Sequence, residues 1–134
     1  EKARRQAVTG DMAPAVKVID DVIERYERAG GGLSGITDAE INSLRKWRDN
    51  LTASGTSRMW IDGLQDFISD KKAIARGVAP DGTAPSQYYN NVLGDLVGAA
   101  DTAYLSALRG VKDKGLVKEL LQVRKLYGET MSDL

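Results

Sequence analysis

Cysteine and histidine are both missing from this sequence. Their absence removes thiol nucleophiles, disulfides, the usual zinc ligand sets, the Ser-His-Asp triad and the commonest general base near neutral pH. Carboxylates, Lys, Tyr and Ser are the catalytic groups left. Without cysteine the redox compartment is undetermined, because such a chain folds equally well in reducing or oxidising surroundings. No sign of charge prevails either. The 19 Lys and Arg balance 19 Asp and Glu, so no general attraction to nucleic acid or to an acidic membrane is expected. No apolar run approaches the roughly 18 residues of a membrane span, and no signal-peptide core is present. What remains is 134 residues, 42% hydrophobic and 28% charged, the composition of an ordinary soluble protein. Residues 1–134 are read as a single helical domain, and the start at Glu1 rather than Met fits a fragment of a longer chain.

Helical periodicity organises almost all of it. In residues 14–28, Val16, Ile19, Val22, Ile23 and Tyr26 share one face, with Pro14 in the first turn; Gly30, Gly31 and Gly32 end that helix. Residues 1–8 are expected to form a separate helical piece or the end of a preceding helix. Thr37 at the N-cap, Glu40 three residues on, and Ile36 and Ile41 on either side fit a capping box with a hydrophobic staple. Ile41, Leu44, Trp47 and Leu51 follow at core spacing. A third helix carries Trp60, Ile61, Leu64, Phe67, Ile68 and Ile74 as its apolar stripe, with Asp62, Asp66, Asp70, Lys71 and Lys72 on the polar side.

Pro80-Asp81-Gly82 is turn chemistry, after which a long fourth helix is expected from Pro85 to Leu108. Asp95 and Asp101 are its only charges, so it belongs at the centre of the bundle. Tyr89, Leu93, Leu96, Val97, Tyr104 and Leu108 form its large stripe, while Gly94 and Gly98 offer a place for close helix approach. Gly115 precedes a fifth helix with Leu116, Leu120, Val123, Leu126 and Tyr127 at core spacing. No alternating strand pattern competes. The expected fold class is therefore all-α, an irregular bundle of about five helices with a long central fourth helix.

Several patterns invite a chemical reading. Gly30-x-Gly32-x-x-Gly35 has dinucleotide-loop spacing, but such a loop needs a strand before it. Here a helix precedes, Thr37 and Glu40 occupy the following helix start, and Asp38 repels phosphate; the glycines are read as a bend. Residues 52–57, joining two helices, resemble a helix-turn-helix in outline, with Thr56, Ser57 and Arg58 placed for a backbone phosphate. Trp60, Ile61, Asp62 and Asp66 on the supposed recognition helix oppose that. Asp20, Asp21, Glu24, Asp66 and Asp70 lie at spacings that pair acids, which exposed helix faces also show. Asn50-Leu51-Thr52 matches a glycosylation sequon near a helix end and is read as chance. No catalytic, cofactor-binding or metal-binding residue is assigned. Trp47, Trp60 and Tyr88 are the candidate partner-contact residues, with Tyr89 a core aromatic beside them.

Residues 37–134 resemble the helical segments of long bacteriophage and prophage internal virion proteins. The likeness lies in "DAEINSLRKWRDNLTASG", in "AADTAYLSALRG", and in "LVKELLQVRKLYGETMSDL" with its Leu120, Arg124, Tyr127 pattern. It implies a virion protein ejected with the genome, located in the virion or the bacterial cytoplasm. The expected function is thus a non-enzymatic structural or interaction module with a protein partner or self-association and no cofactor. The alternative is a small regulatory or DNA-associated helical domain.

Overall fold

The computed structural model describes residues 8–77 and 84–132, with side chains as far as Lys125. Residues 1–7 of the expected N-terminal helical piece and the Pro80-Asp81-Gly82 turn fall outside the described residues, as do the side chains of Leu126 and Tyr127; Val8, the last residue of that piece, is not helical. The element order is β1 (Thr9–Asp11), α1 (Ala13–Arg28), α2 (Asp38–Thr52), β2 (Arg58–Trp60), α3 (Ile61–Ala75), α4 (Gln87–Arg109) and α5 (Lys114–Ser132). The protein is an all-α bundle, and α4, at 23 residues, is its longest helix.

Helix α1 begins under Asp11, whose Oδ1 accepts from the Ala13 backbone N–H at 2.9 Å. It ends in a Schellman arrangement: Gly30 N–H donates to the Glu27 carbonyl and Gly31 N–H to that of Tyr26. Both glycines have positive φ, 68° and 84°, a conformation that costs glycine little. The glycines thus form the helix-ending bend expected of them. It turns the chain so that α2 runs antiparallel to α1, bringing Arg45 to Glu27 and Arg48 to Asp20.

The capping box of α2 forms in full. Thr37 Oγ1 accepts from Glu40 N–H at 3.1 Å, and Glu40 Oε1 from Thr37 N–H at 2.9 Å. Ile36 and Ile41 are both buried beside it. The same carboxylate reaches further, because Glu40 Oε2 accepts from Ser86 N–H at 2.9 Å. Gly35 completes the junction: its carbonyl takes the N–H groups of Tyr88 and Tyr89, orphan donors in the first turn of α4. Two helix starts are therefore tied to each other.

Helix α4 packs against α3, α1 and β1, which is the central position its low charge predicts. Tyr89, Leu93, Leu96, Tyr104 and Leu108 of its expected stripe are buried, with Val92, Ala100 and Ala103; Val97 is half-buried. Gly94 and Gly98 behave otherwise than expected. They face open space, with nothing within 4 Å of where a Cβ would stand. Helix α5 starts one residue before Gly115 and docks through Leu116 and Leu120. Tyr104 Oη donates to the Leu120 carbonyl at 2.6 Å, and Arg124 holds Asp101 at 2.7 Å. Leu120 and Arg124 of the Leu-Arg-Tyr pattern are thus explained by packing against α4.

The unexpected element is a two-stranded antiparallel ribbon, Thr9 opposite Trp60 and Asp11 opposite Arg58. It is extended by Met12 N–H to the Ser57 carbonyl and Ile61 N–H to that of Val8. Its position depends on Gly10, where a Cβ would lie 2.7 Å from Leu64 Cδ1 and 2.8 Å from the Ala103 carbonyl oxygen. Three-residue strands present no alternation to read, so tertiary packing alone determines them. The ribbon also separates α2 from α3, in place of the turn that a helix-turn-helix requires.

Candidate functional site

The structure distributes the three candidate aromatics unevenly. Trp47 and Trp60 come to one side of the molecule, and Tyr88 stands apart from them. Tyr88 is half-buried, and its Oη accepts from Arg25 Nη1 at 3.1 Å. It lines a groove of about 290 Å³ between α1 and α4, flanked by Asp21 and Asp95.

Trp47 lies on the core side of α2 and stacks on buried Tyr89, with ring centroids 6.1 Å apart. Its other surroundings form an open cleft of about 410 Å³. Helix α2 contributes Trp47, Asn50 and Leu51; β2 contributes Met59; α3 contributes Gly63, Asp66, Phe67, Asp70 and Lys71. Trp60 flanks the cleft rather than lining it. Expected in the apolar stripe of α3, it instead ends β2 and is 37% exposed. A Cβ on Gly63 would come within 2.9 Å of Trp60 Nε1 and 3.0 Å of Met59 Cγ, so this glycine lets both side chains lie against α3.

At the floor is a residue that had been expected on the polar face. Lys71 is only 4% exposed. Its Nζ stands 3.9 Å from the Trp47 ring centroid and 4.5 Å from that of Phe67. Asp70, on the solvent side, holds it at 2.7 Å. Burial pushes the Lys71 ammonium below the ordinary lysine range, and its bond to Asp70 opposes that shift. Two aromatic faces replace part of the lost hydration by attraction to the ring quadrupoles. The signal for this placement was the period: Leu64, Phe67, Ile68 and Lys71 follow i, i+3, i+4, i+7. Gln65, also buried, was missed likewise; its Nε2 reaches Ser69 Oγ at 3.3 Å, while its Oε1 finds no partner.

The other sequence candidates resolve into surface pairing. Asp21 meets Lys17, Glu24 meets Arg28 and Asp20 meets Arg48, all on exposed faces. Asp66 and Asp70 share the cleft mouth, both exposed. Arg58, suspected of phosphate contact, donates through Nε to Thr9 Oγ1 at 2.9 Å and through Nη2 to the Thr9 carbonyl at 3.0 Å. Asn50 of the sequon is exposed at the cleft edge, and Thr52 Oγ1 turns back to the Arg48 carbonyl. Among the described residues, no cluster of acids forms a metal-binding group and no helix is long and apolar enough to cross a membrane.

The arrangement supplies an apolar, aromatic-walled recess with an acidic mouth, a buried amine and an exposed tryptophan at its edge. Compared with protein-family models, curated proteins and solved structures, the chain matches none.

Proposed function

We propose that the chain is a non-enzymatic structural module that works by self-association through the surface around Trp60 and the Trp47 cleft. The observation that carries this reading is Trp60 itself, a large side chain 37% exposed at the edge of an aromatic-walled recess. Tryptophan is enriched among interface hot spots, because it buries a large rigid area at low entropic cost. The zero formal net charge supports the choice of a second copy as partner, since two copies meet without net repulsion. The bacteriophage resemblance gives the setting: a virion protein ejected with the genome, where helical modules assemble with their neighbours.

The DNA-associated reading is less well supported, because Arg58 is engaged by Thr9 and Asp66 and Asp70 stand at the most distinctive surface. One pair of measurements separates the two. Sedimentation equilibrium should show a reversible oligomer that Trp60→Ala weakens at least tenfold, with helicity unchanged by circular dichroism. Fluorescence anisotropy with duplex DNA at rising salt should show no binding. A chain monomeric at every concentration overturns the proposal, and DNA binding that falls steeply with salt would establish the alternative.

A further inference from the structure

We propose that Lys71 is a carbonyl-reactive amine, and that the Trp47 cleft takes small, planar, uncharged aromatic aldehydes as imines on its Nζ. The inference is independent of self-association.

Three features of the geometry converge on it. First, the amine is fixed. Lys71 is almost wholly buried, so its Nζ is confined between the Trp47 and Phe67 rings rather than sweeping through solvent like a surface lysine. Second, the recess beside it, about 410 Å³, falls in the roughly 300–1,000 Å³ range of small-molecule pockets. Its walls are Trp47, Phe67, Leu51 and Met59, apolar side chains against whose exposed edges a small flat ring packs. Third, the mouth selects by charge. Asp66 and Asp70 line it and Lys71 is the sole cation among the lining residues, so an anionic aldehyde meets net repulsion while a neutral one does not.

The step balances with groups in place. The ammonium loses a proton to solvent at the cleft mouth, where the exposed Asp70 carboxylate holds Nζ at 2.7 Å. The freed Nζ lone pair adds to the carbonyl carbon, and the C=O π pair moves to oxygen, which becomes a hydroxyl on receiving a proton. The carbinolamine then loses that oxygen as water, taking a second proton that came from Nζ, and the nitrogen lone pair closes the C=N bond. In sum, ammonium plus aldehyde gives iminium plus one water, with no change in charge and no oxidant or reductant. Burial, which disfavours the ammonium, raises the share of free amine at neutral pH, as in desolvated catalytic lysines.

The test uses the wild-type chain at pH 7 and a concentration at which it is monomeric. Benzaldehyde is added at a substoichiometric level, sodium cyanoborohydride traps the imine as a secondary amine, and peptide mapping by mass spectrometry locates the adduct. The adduct is expected on Lys71, at least tenfold above every other lysine. With 4-carboxybenzaldehyde, Lys71 labelling should fall about tenfold while the exposed lysines are unaffected. Lys71→Arg keeps the buried cation and should abolish the selective adduct. Labelling spread over exposed lysines, with Lys71 no higher than the rest, overturns the proposal. So does equal labelling of Lys71 by both aldehydes, because the recess then makes no selection. The wild-type map decides the matter even where the variant folds poorly.

Discussion

Lys71 shows how one residue can be misjudged from its type and understood from its surroundings. Removing an ammonium from water is costly, and what offsets the cost here is two ring faces and one carboxylate. Replacing it with an apolar group of similar length removes both sides of that balance. Lys71→Met should leave the protein as stable as the wild type or more stable by about 1 kcal/mol in urea at pH 7. The sign of the pH dependence follows from proton counting. The folded Lys71 loses its proton below the ordinary value of 10.5, so between those two points the unfolded chain binds more protons and wild-type stability rises with pH. The advantage of the variant should therefore shrink as pH approaches 10.5; a constant difference between pH 7 and 10 would show that Lys71 is not desolvated. Gly10 makes the opposite point, since smallness is what matters there. A Cβ 2.8 Å from the Ala103 carbonyl oxygen meets backbone that cannot yield easily, so Gly10→Ala should cost about 1–3 kcal/mol by thermal melting.

Among the elements, the start of α2 was fully legible in the sequence and its second role was not. Capping chemistry is local, decided within Ile36, Thr37, Glu40 and Ile41, so short-range pattern suffices. The bond from Glu40 Oε2 to Ser86 N–H spans 46 residues, and nothing in the local sequence records it. Thr37→Ala should cost about 1 kcal/mol, whereas Glu40→Ala removes the acceptor of two backbone donors and should cost roughly twice that. Equal costs in chemical denaturation would mean that the link to α4 contributes nothing. The same distinction explains the other differences. The helices α1 to α5 followed from periodicity because each buries one long stripe. The strands did not, because three residues held by Gly10 against α4 carry no period of their own. Lys71 sat on a core position of α3 in plain view, but its charge was read as solvation, and Gln65, also at core spacing, was not singled out. The cleft was legible only in part: Trp47 and Trp60 stood out by type and Asp66 and Asp70 by spacing, while Lys71 at its floor was assigned to the polar face.

Over the whole molecule, the bundle is organised around α4, and among the described residues α5 is its most lightly held helix. The described contacts of α5 centre on Leu116 and Leu120, the Tyr104 hydroxyl and the Arg124–Asp101 pair. Tyr104→Phe should cost about 1 kcal/mol, and native-state hydrogen exchange should show the α5 amides opening before those of α3 and α4. Uniform protection across all three would contradict that order. The surface left after packing carries charged residues in exposed pairs, which contribute little, the cleft with its tryptophan, and the exposed Leu105 of α4 and Leu121 of α5. Self-association through that surface is tested most directly by the concentration dependence of the amide and indole NMR spectrum. Signals of Met59, Trp60, Gly63 and the Trp47 indole N–H should shift together as concentration rises. A spectrum that stays fixed, or shifts confined to the outer faces of α4 and α5 around Leu105 and Leu121, would contradict the assignment of this surface.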